Sequence, residues 1–158
     1  MTPRYAPQRS FPPYRYRPGL DPHPTRDARG HSHRREPESI APFAESTAFD
    51  HDQFRFGADL YNHAFFWEAH EAFEELWRRA AARSRERALL QGLIQAAAAQ
   101  LKKAVGDERG ARRLVGLSRE KLARVAPRSC AIDVTSFAER LAADVDGSGP
   151  FARIVLAR

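Results

Sequence analysis

Four carboxylates and one imidazole fall within eight residues, Glu68, His70, Glu71, Glu74 and Glu75. Imidazole with carboxylates is a donor set for Zn²⁺, Mn²⁺ or Fe. A divalent metal so held would acidify a bound water, and a free carboxylate would then be its general base. In that reading His70, Glu74 and Glu68 are the candidate ligands, and Glu71 and Glu74 the candidate catalytic carboxylates. The spacing argues against a ready-made centre. At 100° per residue, Glu74 lies one turn beyond His70, while Glu68 and Glu71 face away from it. His70-Glu71 is not followed by a second histidine at zincin spacing. His51 and His63 are the remaining histidines outside the first 48 residues.

The element that must carry these groups is a helix over about 65–80. Phe65, Ala69, Ala72, Phe73 and Leu76 make one wide apolar stripe, with Phe66 and Trp77 at its edge. A helix over about 50–62 precedes it, capped by Asp50 and ending near Asn62-His63. A third, from Ser84 to about Val105, is apolar on nearly all sides between Leu89 and Leu101 and reads as the buried middle of a bundle. Ser84 is its cap, with Glu86 in the first turn. Its polar exceptions, Gln91 and Gln95, are spaced i, i+4 and need hydrogen-bond partners if buried. Gly106 and Asp107 separate the third helix from a fourth over about 108–125, basic on one face through Arg109, Arg112, Arg113, Arg119, Lys121 and Arg124. Pro127 ends it. A fifth helix spans about 133–145. Residues 151–156 read as a short strand or an extended tail, and no other strand pairing is expected. The expectation is an all-α fold, a compact bundle of about five helices.

Residues 1–48 differ from the rest. They hold nine of the eleven prolines and no apolar periodicity, which predicts a disordered tail ahead of a helical domain at 49–158. Eight arginines against two aspartates in residues 1–35 carry the whole formal charge of +6, and the remainder is balanced. Tyr5, Phe11, Tyr14 and Tyr16 alternate with Arg4, Arg9, Arg15 and Arg17. That pattern can bind single-stranded nucleic acid by charge and stacking, but a solvated tail is the preferred reading. His23, His31 and His33 are a weak metal option in the same segment. A single cysteine excludes a disulfide framework. No apolar run reaches the roughly 18 residues of a membrane span, and the first residues lack the apolar core of a secretory signal. A cytoplasmic location and no membrane are expected.

Five blocks then stand in order: Leu60-Tyr-Asn62, Trp67-Glu-Ala-His-Glu71, Glu74-Glu-Leu-Trp77, Leu90-Gln-Gly-Leu-Ile-Gln95 and Gly106-Asp-Glu-Arg-Gly-Ala111. Over about residues 50–125 the chain resembles the bacterial and archaeal helical family called domain of unknown function 309. The resemblance implies a small all-α fold. Members are sometimes labelled predicted metal-dependent hydrolases. It places the family's polar signature on Asn62, Glu68, His70, Glu71, Glu74, Trp77, Gln91 and Gln95. The chain has Ala64 where the family usually has Gly, and Leu101 and Lys102 where the family commonly has an aromatic and often His.

Two functions follow. One is an enzyme built on a His70/Glu metal site. The other, preferred, is a non-catalytic module in which His70, Glu74, Asn62, Gln91 and Gln95 form a buried network, with Trp77 and Trp67 packing against it or lining a groove for a protein partner or a second copy. In that reading the acidic helix pairs with Arg112, Arg113 and Arg119. A third option is an anionic ligand bound by Lys102 and the fourth helix.

Overall fold

The computed structural model describes residues 2–158. The five expected helices are present: α1 Asp52–Asn62, α2 Phe66–Arg79, α3 Arg85–Ala104, α4 Glu108–Leu122 and α5 Val134–Asp146. A 3-10 turn, Glu45–Asp50, leads into α1, so α1 starts after His51 and Asp50 is not its cap. The other expected caps form. Ser84 Oγ accepts from the Arg87 N–H, and Asp107 from the Gly110 N–H. Asp133 likewise caps α5, accepting from the Ser136 N–H. Each satisfies a donor that the first turn leaves orphaned.

The break between α1 and α2 falls where the sequence places it, with His63 as the C-cap of α1. Ala64 takes the left-handed conformation there, φ 65°. A Cβ makes that conformation cost about 1–2 kcal/mol. The break is therefore imposed by packing on both sides of it. α1 and α2 approach closely because Gly57 has no Cβ, and an added one would sit 2.7 Å from the Phe73 ring. Gly92 does the same for α3 against α4, where a Cβ would lie 2.5 Å from Leu122. Ser118 Oγ donates to the Gly92 carbonyl at 2.7 Å across that contact. α3 packs on α2, α4 and α5 and buries Leu89, Leu90, Leu93, Ala96, Ala97 and Ala99. Phe54, Tyr61, Phe73 and Phe137 are fully buried at the centre. Each contributes about 2–3 kcal/mol by leaving water.

Two expectations are corrected. A short antiparallel hairpin, β1 Arg128–Ser129 and β2 Ile132–Asp133, joins α4 to α5. Its turn residues Cys130 and Ala131 both have positive φ, 47° and 64°. That is the backbone of a tight hairpin turn, built here without the Asn or Gly that would announce it. The chain end 151–156 is the extended tail, touching the hairpin through one bridge, Ile132 to Leu156.

The second correction is larger. The N-terminal segment is not a disordered tail. It is a strap laid over α1 and α2, with little regular structure of its own. Ala6 is fully buried in the core, and Tyr5 and Phe11 pack against that core. The Tyr5 and Ala6 N–H groups both donate to the Asp59 carboxylate at 2.8 Å. Phe11 stacks on Phe65 at 4.8 Å and on Phe56 at 6.3 Å. The arginine–aromatic alternation is engaged within the chain. Arg4 lies over Phe11 and Arg9 over Phe56, both at 4.0 Å, and Arg15 over Phe65 at 5.0 Å.

Candidate functional site on the second helix

α2 presents three different faces. Its apolar stripe, Phe66, Ala69, Ala72, Phe73 and Leu76, is buried as the periodicity requires. On one border stand His70, Glu71 and Glu74, all half-buried. They offer one nitrogen and two carboxylate oxygens within 4.8 Å of one another. His70 Nδ1 lies 3.2 Å from Glu71 Oε1, and His70 Nε2 lies 3.9 Å from Glu74 Oε2. Glu71 thus reaches His70, although the helical wheel turns its Cα away. The Nδ1 contact lacks hydrogen-bond geometry, and that buried nitrogen has no partner among the described residues. Glu74 also takes a bond from Arg78 at 3.0 Å, and Glu75 one from Arg79 at 2.8 Å.

Glu68 stands on the opposite border and takes no part in that group. It is 5% exposed, and its Oε1 accepts from the Tyr16 N–H at 2.9 Å and from His31 Nε2 at 2.8 Å. A carboxylate only accepts, so Nε2 of His31 carries the proton. The His31 side chain is 3% exposed, and its Nδ1 meets Ser32 Oγ at 2.8 Å. Tyr14, Tyr16, His23 and His31 gather round Trp67 and each other with ring centroids 4.7–6.2 Å apart. Glu68 and Trp67 together are the anchor for residues 14–31 of the strap. The other strap histidines are engaged separately, His23 Nδ1 by the Thr25 and Arg26 N–H groups and His33 Nδ1 with the Thr25 carbonyl.

The remaining expected residues are dispersed. Asn62 pairs through its amide with both backbone groups of Ile154, each at 2.8 Å, and so holds the C-terminal tail. Trp77 lies under the Arg87 guanidinium at 3.9 Å, and its buried Nε1 has no partner. Gln91 and Gln95 are half-buried on α3, and Gln95 Oε1 is buried without a partner. The buried polar network consists of other residues. Gln100 donates to Asp144 Oδ2 at 2.5 Å and to the Tyr61 hydroxyl at 3.3 Å. Asp144 also accepts from Lys103 Nζ at 2.7 Å and the Ala152 N–H at 2.9 Å. Burial pushes the Tyr61 phenol well above its usual range, against the opposing Gln100 bond. The carboxylates of α2 do not pair with α4. Glu71, Glu74 and Glu75 pair within their own helix and Glu68 with the strap, while Arg112 pairs with Glu108 at 3.3 Å. Lys102 is tied to Asp107 at 3.1 Å.

Sequence reasoning passed over two of the residues that fasten the strap, Asp59 and Gln53. Asp59 is fully buried at the centre of α1, with Arg4 Nε 3.5 Å away. A carboxylate among the apolar positions of an amphipathic helix was the available signal, because a buried charge demands partners. Gln53 accepts from Arg9 at 2.7 Å.

Among the described residues, no helix is long and apolar enough to cross a membrane. No curated protein matches the chain. A family model described as "Domain of unknown function (DUF309)" matches residues 54–114, from the first turn of α1 to the middle of α4. That span contains Asn62, Glu68, His70, Glu71, Glu74, Trp77, Gln91 and Gln95, and over it the chain is similar to the DUF309 family.

Proposed function

We propose that the chain is a non-catalytic helical interaction module. Its α1–α2 face captures an extended segment in which arginines alternate with aromatic residues. In this chain the captured segment is the strap itself. The observation that carries the reading is the pair of buried carboxylates, Asp59 and Glu68. Both sit on α1 or α2, and both accept backbone N–H groups from residues more than fifty positions away. Backbone recognition combined with stacking pockets is how peptide-binding surfaces obtain affinity and specificity. A protein partner or second copy carrying such a segment is the class of ligand that fits. The test mixes residues 49–158, shown folded by circular dichroism, with a labelled peptide of residues 1–48. Saturable binding, abolished by Asp59→Asn with Glu68→Gln, is the expected result. A folded domain that leaves the peptide free overturns the reading.

A second reading has its own observation, the close approach of His70, Glu71 and Glu74. One imidazole nitrogen and two carboxylates, with an unpartnered Nδ1 among them, fit a single Zn²⁺, Mn²⁺ or Fe²⁺ completed by water. Such an ion supplies a bound water acidified toward neutral pH, the chemistry of a hydrolase. Glu68 has no place in that set, because the strap occupies it. Elemental analysis of untagged protein beside its His70→Ala variant is the test. Stoichiometric metal lost in the variant supports the reading, and metal absent from both removes it.

A further inference from the structure

Glu68 has two carboxylate oxygens, and only one is satisfied. Oε1 takes the two strap bonds described above. Oε2 is equally buried and has no partner among the described residues. A buried acceptor left empty costs roughly 1–3 kcal/mol, more when charged, so something should reach it. The residue borders a cavity of about 270 Å³ between the strap and α1–α2. That is on the order of nine water volumes, and so suits a small molecule. The cavity combines two kinds of wall. Phe56, Leu60 and Trp67 give it an apolar side. Glu68, Glu71 and Glu75 give it an acidic side along α2, joined by Glu36 from the strap. The basic groups on its rim are already held. Arg9 bonds Glu38 at 3.0 Å and Gln53 at 2.7 Å, and Arg35 bonds Glu38.

The geometry points to a binding site for a small organic ammonium ion under the strap, with the ammonium on Glu68 Oε2 and the hydrocarbon body against Phe56 and Leu60. A neutral donor would satisfy the oxygen's hydrogen bonding but bring no counter-charge to Glu68 and Glu71, the two α2 wall glutamates that no arginine holds; Glu75 is already paired with Arg79. An anion would face three glutamates of one helix. A primary ammonium supplies three donors and the positive charge together, and its apolar body fits the other wall. The site rests on the strap docking proposed above, because the strap closes one side of it.

The probe is phenethylammonium, titrated into the full chain by calorimetry beside 2-phenylethanol and 3-phenylpropionate. Saturable binding of the amine alone is expected. Glu68→Gln should weaken it at least about tenfold, the loss of one charge-assisted bond. Glu71→Gln leaves every strap contact in place and should weaken it roughly two- to threefold through lost rim charge. Tryptic cleavage after Arg26 and Arg29 reports separately on the strap. A strap cut as fast as an unfolded peptide defeats the docking reading. A protected strap with no saturable amine binding defeats only the ammonium site, as does alcohol binding as tightly as amine. Should Glu68→Gln free the strap, the Glu71→Gln titration decides, and an unchanged affinity there overturns the site.

Discussion

Asp59→Asn changes one atom in a fully buried carboxylate and should release the start of the strap. The native group accepts the Tyr5 and Ala6 N–H groups at 2.8 Å each, with Arg4 Nε at 3.5 Å. Bonds to a charged acceptor contribute about 1.5–3 kcal/mol each, so the pair contributes about 3–6 kcal/mol before any relaxation. Asparagine keeps one acceptor oxygen and turns an N–H₂ toward the second backbone donor. One bond is lost and a donor faces a donor. The strap can escape part of that penalty by lifting off, because its amides then find water. The local loss is therefore limited to about 2–3 kcal/mol, and the helices beneath remain folded. The assay is native-state amide exchange at Tyr5 and Ala6, which reads local opening of the strap separately from global unfolding. A loss of 2 kcal/mol speeds exchange by about thirtyfold. Amides in α3 should keep their wild-type protection. Asp52 is the control, since it is exposed where it meets Gln8 and Arg9, and Asp52→Asn should change little. Tyr5 and Ala6 amides that exchange within about threefold of wild type in Asp59→Asn would refute the anchoring role.

Other perturbations test separate parts of the fold. Ala64→Gly relieves the left-handed strain at φ 65° and should add about 0.5–1 kcal/mol of stability after the added freedom of the unfolded chain, read as a higher urea midpoint; a lowered midpoint contradicts it. Glu45 joins the 3-10 turn to the β1–β2 hairpin, its oxygens 2.6 Å from Ser129 Oγ and 2.7 Å from the Cys130 N–H. Its burial raises the pKa, but bonds from Ser129 and Cys130 outweigh that and hold it below its ordinary 4.5. Because the folded value is the lower one, the stabilisation is present above pH 4.5 and fades as pH falls through the folded value. Glu45→Gln should thus melt below wild type at pH 7, with the gap closing under acid; a gap independent of pH counts against it. The Cys130 thiol is fully buried, and burial with the Glu45 charge beside it pushes its pKa well up. It should resist a thiol reagent at about pH 8 until the protein unfolds, and rapid labelling of folded protein would contradict that.

What could be read from the sequence was local. Helices α1 to α5 follow from apolar spacing, and Ser84 and Asp107 announce two of their starts by the side chain that caps the first turn. The helical wheel also turned Glu68 away from His70, as it stands. The partner of Glu68 could not be read, since no short-range pattern links Tyr16 or His31 to it. The strap failed every periodicity test because it forms no regular element. Its order comes from side chains and carboxylates on α1 and α2 rather than from its own backbone pattern. The hairpin turn at Cys130-Ala131 failed for a different reason. Its positive φ angles are enforced from outside, by Glu45 holding Ser129 and Cys130, not by turn residues. The candidate metal ligands were half legible. The i, i+4 spacing of His70 and Glu74 places them together, while the rotamer that brings Glu71 to Nδ1 is invisible in a sequence.

Four of the buried polar side chains of the helices share one task. Asp59 and Glu68 hold the strap, and Asn62 and Asp144 hold the C-terminal tail through Ile154 and Ala152. An irregular segment cannot satisfy its own N–H groups, so a helical core that covers itself with such segments must supply acceptors at fixed points. Each acceptor specifies which residue of the segment lies above it, and so sets register where no ladder exists to do so. His70, Glu71 and Glu74 have no such task. They bind no irregular backbone, and His70 and Glu74 stand on the border of α2 away from Glu68, with Glu71 reaching His70 from the wall it shares with Glu68. Substitutions on the two borders of one helix therefore separate two properties. A change at Glu68 should alter how the strap is held while leaving the His70 group's geometry intact, and a change at His70 should do the reverse.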